Sequence, residues 1–185
     1  MELTKKEGKF LLTLARKSIE SKLKDIELDY NLIDSVRIKE KRGCFVTINK
    51  KQNLRGCIGN IIPKDKLYQS IIENAKKAAF KDPRFPPLSL DEFGSISLEV
   101  SILTKPKKIN FETTDDLLDK IEKGVDGIIL KKGIKSSTYL PQVWNHFDNK
   151  EEFLSNLSIK AGLCRDGWKD NDINISKYQA QVFSE

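Results

Sequence analysis

Two glycines flank a cysteine in the segment Leu54-Arg55-Gly56-Cys57-Ile58-Gly59, and these residue types at this spacing can support chemistry. The glycines allow a sharp backbone turn or a close approach by a ligand. A nearby guanidinium such as Arg55 would favour the thiolate of Cys57, which is the form that a nucleophilic cysteine requires. On this interpretation Cys57 is catalytic, and the ligand contacts come from Arg55, Gly56 and Gly59. The alternative is a small buried thiol at a strand end, where both glycines serve only packing.

A proline-rich stretch from Ala79 to Pro87 is the second candidate for a site. Its prolines fix an extended path and lower the entropy of the loop. Such a rigid loop can present Arg84 to an anion, since a guanidinium matches the geometry of carboxylate and phosphate. The alternative is a plain helix stop, in which Phe85 fills the core and Arg84 is exposed. The residues alone favour neither.

Metal and cofactor chemistry finds little support in the residue inventory. His146 is the single histidine, and Cys44, Cys57 and Cys164 are too far apart in sequence for a CxxC pair. The chain has no HExxH, EF-hand, phosphate-loop, GxGxxG or GxSxG motif. Because structural zinc usually takes four histidine or cysteine ligands, we expect no intrinsic metal and no cofactor.

The elements that would position these residues follow from local patterns. Thr4 and Glu7 have capping-box spacing, which predicts a helix beginning there, with an apolar face that continues to Leu23. A strand is predicted over 44–48 and a turn over 50–53, with the hairpin partner beginning at Leu54. A second helix carries Leu67 to Ala79 and ends before Asp82-Pro83. Alternation predicts a strand over 95–102.

The rest of the chain continues the same mixture of helices and hairpins. We predict a short helix over 115–121, a strand pair over 127–130 and 136–140, a helix after Asn149 and a final strand over 178–182. Hairpins without regular βαβ alternation favour an α+β fold over a doubly wound one. No repeat or linker marks a domain boundary.

Composition limits the class of protein, the cellular compartment and the binding partners that we expect. Of its 185 residues, 38% are hydrophobic and 32% are charged, as in a globular protein. No stretch is apolar enough for a membrane span. The N-terminus lacks the apolar stretch and small-residue cleavage site of a signal peptide. The odd number of cysteines predicts free thiols in a reducing compartment, so we expect the cytoplasm. The net charge of +6 comes from lysines interleaved with acids, which predicts at most weak, non-specific nucleic-acid binding.

Five sequence segments, taken in chain order, together resemble a known protein family. LRGCIG, AAFKDPRFPPL, LEVSIL, LPQVW and LSIKAGL closely resemble the AMMECR-type family, also called AmmeMemoRadiSam system protein A. The resemblance runs from about Gly43 to the C-terminal strand. It implies one AMMECR-type domain over residues 1–185, with mixed or antiparallel hairpins flanked by helices. It also implies two unequal lobes that share one compact unit.

The resemblance brings no known reaction. It implies membership of a modification pathway with Memo-type and radical-SAM proteins as possible partners. We therefore expect an enzyme or ligand-handling component that uses Cys57, with Arg55, Arg84 and Lys160 holding an unknown small anionic ligand. The alternatives are a non-catalytic adaptor for the pathway proteins and a weak nucleic-acid binder.

Overall fold

Within residues 2–185 the chain adopts an α+β fold in which helices accompany two antiparallel sheets of four strands each. The computed structural model describes residues 2–185. It contains two compact units, the first formed by residues 2–103 and 181–185 and the second by residues 104–180. The expected α+β class is confirmed. No helix within residues 2–185 combines the length and apolar character needed to cross a lipid bilayer.

The first unit packs its helices on a sheet with the strand order β2-β1-β3-β8. Its elements, numbered along the chain, are α1 (Lys5–Lys24), α2 (Val36–Lys39), β1 (Cys44–Lys50), β2 (Asn53–Asn60), α3 (Leu67–Phe80), α4 (Leu90–Phe93), β3 (Ile96–Leu103) and β8 (Ala180–Ser184). The predicted capping box opens α1: the Glu7 N–H donates to Thr4 Oγ1 at 3.3 Å, and the Thr4 N–H donates to Glu7 Oε2 at 2.6 Å.

The β1–β2 hairpin presents two different faces. Lys51 and Gln52 turn the chain with φ values of 51° and 65°, the left-handed region that tight hairpins use. Val46 and Ile48 point into the core with the buried faces of α1 and α3. Because side chains alternate along a strand, Thr47 lies on the opposite face.

Cys44 lies in this core, at the start of the strand predicted over 44–48. It is fully buried, and Asn74 Nδ2 lies 3.4 Å from its sulfur. Burial raises the pKa of the Cys44 thiol to about 12. This thiol is therefore protonated at neutral pH and structural.

The second unit has its own sheet and its own apolar core. Its sheet has the order β4-β7-β5-β6, formed by β4 (Lys107–Lys108), β5 (Gly127–Lys132), β6 (Lys135–Tyr139) and β7 (Asn174–Tyr178). The helices are α5 (Thr114–Asp119) and α6 (Lys150–Lys160), with 3-10 turns at Pro141–His146 and Gly167–Lys169. Trp144 stacks on Phe153 within this core, with ring centroids 3.6 Å apart.

The predicted final strand over 178–182 is wrong in one respect. The structure ends β7 at Tyr178 and begins β8 at Ala180, and the two strands belong to different sheets. Between them, the Gln179 N–H donates to Thr104 Oγ1 at 2.9 Å. Alternation indicates extended structure over these residues, but it carries no information on which sheet a strand joins.

Candidate functional site around Cys57

Cys57 lies on β2, an edge strand of the first sheet. It pairs across the hairpin with Thr47, so its side chain lies on the face opposite the helices. The Thr47 hydroxyl lies 3.3 Å from the Cys57 sulfur, within hydrogen-bond distance. The thiol is partly exposed, in contrast to the fully buried Cys44.

Asp82 and Arg84 bind both sides of the Cys57 peptide. The Cys57 N–H donates to Asp82 Oδ2 at 2.8 Å, and Arg84 Nη2 donates to the Cys57 carbonyl oxygen at 3.2 Å. Arg84 also donates to both Asp82 oxygens, from Nε at 2.9 Å and from Nη2 at 2.7 Å. These two side chains satisfy backbone groups that an edge strand would otherwise expose. We call this arrangement the Asp82–Arg84 clamp.

The clamp holds a buried carboxylate against a half-exposed guanidinium. Hydrogen bonds from Arg84 hold the pKa of Asp82 well below its usual range, against the opposing effect of burial. The Arg84 side chain is 52% exposed, and its guanidinium carbon lies 5.5 Å from the Phe85 ring centroid. Within residues 2–185, hydrogen bonds engage Nε and Nη2 of Arg84 but not Nη1. The structure thus holds this guanidinium in place while two of its donors are unused.

The environment of the Cys57 thiol disfavours ionisation. Burial raises the pKa of Cys57, while the Thr47 hydrogen bond and the charge of Arg84 oppose this effect. The carboxylates of Asp82 and Glu99 raise the pKa further. At neutral pH the thiol is therefore protonated. The argument that a neighbouring arginine would favour the thiolate does not hold for this environment, and the catalytic role of Cys57 stays a prediction.

Arg55 forms an ion pair within the chain. Its Nη2 donates to Glu92 Oε2 at 2.9 Å and to the Pro86 carbonyl oxygen at 2.9 Å. Hydrogen bonds from Arg55 and then Lys50 lower the pKa of Glu92 to about 2. The anion that Arg55 holds in this structure is a side chain of α4, so the residue fastens the proline-rich loop beside β2.

The two glycines of the segment permit close packing. A Cβ on Gly56 would lie 2.2 Å from the Ala78 carbonyl oxygen of α3. A Cβ on Gly59 would lie 2.3 Å from the ring of Phe45 and 2.4 Å from the Cys44 carbonyl oxygen. Any side chain at these positions would overlap its neighbours, so packing alone accounts for both residues.

The chain is similar to a known protein family and to several archaeal proteins. The AMMECR1 family model matches residues 12–183. The chain belongs to the AMMECR1 family. A protein of Methanothermobacter thermautotrophicus is 42% identical over 99% of this chain and 96% of its own length. A protein of Methanocaldococcus jannaschii is 41% identical over 99% of this chain and 92% of its own.

A crystal structure shows the same fold. An uncharacterised protein of Pyrococcus horikoshii superposes with a TM-score of 0.90 at 38% identity, covering 100% of this chain and 94% of that one. The resemblance to the AMMECR family inferred from five segments is therefore confirmed. The names of these three similar proteins state no activity.

Most of the predicted site residues of this AMMECR1 chain lie around β2. Arg55, Gly56, Cys57, Gly59 and Arg84 all belong to the first unit.

Lys160 belongs to the second unit, at the end of α6. Its Nζ donates to the Thr138 carbonyl oxygen at 2.9 Å and lies 4.6 Å from the Tyr139 ring centroid. Within residues 2–185, no three His, Cys, Asp or Glu side chains converge as a metal ligand set would.

Sequence reasoning missed the acidic and hydroxyl partners of the site. The sequence predicts Asp82 only as part of a helix stop, although its spacing of two residues from Arg84 permits a local ion pair. Glu92 and Thr47 reach the segment from other elements. Only the hairpin register, which places Thr47 opposite Cys57, offered a signal for one of them.

Proposed function

We propose that this chain is a ligand-handling protein that binds a small anionic molecule beside Cys57, through Arg84. The observation that carries the proposal is the fixed, half-exposed guanidinium of the Asp82–Arg84 clamp. A guanidinium held on one edge by a carboxylate still offers Nη1 to a phosphate or carboxylate. Binding to a prepositioned group costs less conformational entropy than binding to a mobile one.

In this proposal Cys57 contacts the ligand as a neutral thiol. Its raised pKa makes it a weak hydrogen-bond donor and a soft packing group at neutral pH. Catalysis by this thiol would require the ligand to lower the pKa, because the thiolate is the nucleophile. The geometry therefore supports binding better than it supports a nucleophilic resting state.

The other expected ligand residues receive separate roles. We propose that Arg55 acts indirectly, by holding the proline-rich loop through Glu92 and Pro86. Gly56 and Gly59 permit the packing that places Cys57 at the strand edge. Lys160 stays a proposed anion contact of the second unit.

The family resemblance supplies the proposed setting. We propose that the ligand belongs to a cytoplasmic modification pathway that includes Memo-type and radical-SAM proteins, and that one AMMECR1 domain spans the chain.

An untargeted metabolite pull-down tests this proposal. The purified protein is incubated with the small-molecule fraction of a cell extract, and retained compounds are identified by mass spectrometry. Arg84→Lys preserves charge but loses the planar fork, so we expect it to lose retention of an anionic compound. Arg165→Lys is the matched control, since Arg165 is exposed and lies in the second unit.

Two outcomes would contradict the proposal. One is that the wild-type protein retains no compound above the level of an unrelated protein. The other is that Arg84→Lys and Arg165→Lys retain the same compound equally. Cys57→Ser, compared with Cys164→Ser, then shows whether the thiol contributes to retention.

A further inference from the structure

A groove of about 400 Å³ lies between α1 and β8, away from the residues of the proposed ligand site. This volume is within the range of ligand-binding clefts. Successive turns of α1 and the end of β8 line the groove. The lining residues are Lys5, Lys9, Leu12, Thr13, Phe183, Ser184 and Glu185.

Beside the groove, α1 has no side chain at Gly8, which lets Phe183 pack against the helix backbone. A Cβ there would lie 2.1 Å from the ring of Phe183, so the ring occupies the space that a side chain would fill. Phe183 thereby lies under the N-terminal half of the helix. Lys5, Lys9 and Leu12 follow at spacings of four and three residues, which place them on one face of α1.

The lining combines an apolar floor with a positive rim. Leu12 is buried, and Phe183 packs against the core of the first unit. Lys5 and Lys9 are exposed, and within residues 2–185 neither ammonium has a carboxylate in ion-pair range. The nearby Glu185 carboxylate is already bound by Arg16.

One side of the groove is the edge of a sheet. β8 is the terminal strand in the order β2-β1-β3-β8. The Glu185 N–H donates to the Leu98 carbonyl oxygen of β3 at 3.1 Å. Since backbone groups alternate in direction along a strand, the N–H and C=O groups of Val182 and Ser184 point away from β3. An edge with such groups is a template for a further strand.

We propose that this groove binds an extended acidic peptide segment of a partner protein, which adds to the sheet as a strand beside β8. The peptide backbone pairs with Val182 and Ser184, and an apolar side chain enters the groove against Leu12 and Phe183. Acidic side chains on the same face meet Lys5 and Lys9. Addition of a strand between a sheet edge and a helix is a recurrent mode of peptide recognition. The site is separate from Cys57 and does not depend on the proposed function there.

The test uses the full chain and a short fluorescein-labelled peptide of alternating glutamate and valine, followed by fluorescence anisotropy. We expect saturable binding that weakens with salt, and no binding of the lysine–valine counterpart. The double variant Lys5→Glu and Lys9→Glu should weaken binding by about tenfold or more, because like charges then face each other. The control pair Lys6→Glu and Lys22→Glu changes net charge equally at exposed positions outside the groove.

A backbone variant separates strand addition from simple charge attraction. Ser184→Pro deletes an edge N–H that the β3 pairing does not use, so proline is tolerated there. It should abolish binding while the circular dichroism spectrum is unchanged. If the variant does not fold, the same question is answered with a peptide that is N-methylated at alternate residues, which should not bind wild type.

Three results would overturn the proposal. The first is no saturable binding of the glutamate–valine peptide at low salt. The second is an equal loss of affinity in the groove pair and the control pair of charge reversals. The third is unchanged affinity after Ser184→Pro or for the N-methylated peptide.

Discussion

Replacement of Asp82 with alanine should destabilise the first unit, because it removes the acceptor for the Cys57 N–H and the partner of Arg84. A hydrogen bond between a charged carboxylate and an amide contributes about 1.5–3 kcal/mol. The ion pair adds about 0.5 kcal/mol, since Arg84 is half-exposed and solvent screens it. We therefore expect the free energy of unfolding to fall by about 2–3.5 kcal/mol.

The assay must report on the first unit. Both tryptophans, Trp144 and Trp168, belong to the second unit, so tryptophan fluorescence follows the other half of the chain. Urea unfolding is therefore followed by circular dichroism at the helical minimum. Hydrogen exchange of the Cys57 amide, whose partner is lost, supplies the local measurement. Its protection should fall more than that of Val46 in the neighbouring central strand β1.

Two control variants isolate the charge and the hydrogen bond. Asp82→Asn keeps an oxygen acceptor for the Cys57 N–H but loses the charge, so we expect a loss of about 1 kcal/mol. Asp65→Ala removes an exposed carboxylate from a loop and should change stability by less than about 0.5 kcal/mol. If Asp82→Ala behaves like Asp65→Ala, the clamp contributes nothing and the account of this strand edge is wrong.

Three further predictions follow from the same geometry. Gly56→Ala should lower the free energy of unfolding by about 1–3 kcal/mol through overlap with the α3 backbone, whereas Gly94→Ala, which meets nothing within 4 Å, should not. Glu92→Gln should flatten acid unfolding monitored by circular dichroism: the lowered pKa means that its stabilisation is present above pH 4.5 and is lost as pH falls toward 2. In timed alkylation followed by mass spectrometry, Cys164 should react first and Cys44 should stay unmodified until the protein unfolds.

Local sequence signals predicted the elements of the first unit well. The capping box of α1 and the turn of the β1–β2 hairpin depend on residues a few positions apart, so the sequence displays them directly. The strand predicted over 44–48 followed from composition and alternation in the same way. These predictions needed no knowledge of distant partners.

The features that sequence reasoning missed are long-range. No composition shift marks the point near Leu103 where the chain leaves the first unit, or the point near Gln181 where it returns. The pairing of Arg55 with Glu92 joins residues 37 positions apart, and nothing in either local pattern indicates it. The position of Arg55 two residues before Cys57 suggests activation of the thiolate. The fold instead pairs the Arg55 guanidinium with the carboxylate of Glu92.

Most residues of the hexapeptide from Leu54 to Gly59 have identifiable contacts within the first unit. Arg55 binds Glu92 and the proline-rich loop. Gly56 admits the α3 backbone, and Ile58 packs against the core of the first unit. Gly59 lies under Phe45. Packing and internal pairing therefore explain why these residue types occur at these positions.

Cys57 is different, because its contacts demand a backbone and not a thiol. The Asp82–Arg84 clamp binds its N–H and its C=O, and any residue with an amide N–H would supply both groups. The sulfur contacts the Thr47 hydroxyl on the face opposite the core. The structure thus accounts for the position of this residue but not for its thiol, and the proposed ligand, held by Arg84, would contact that thiol.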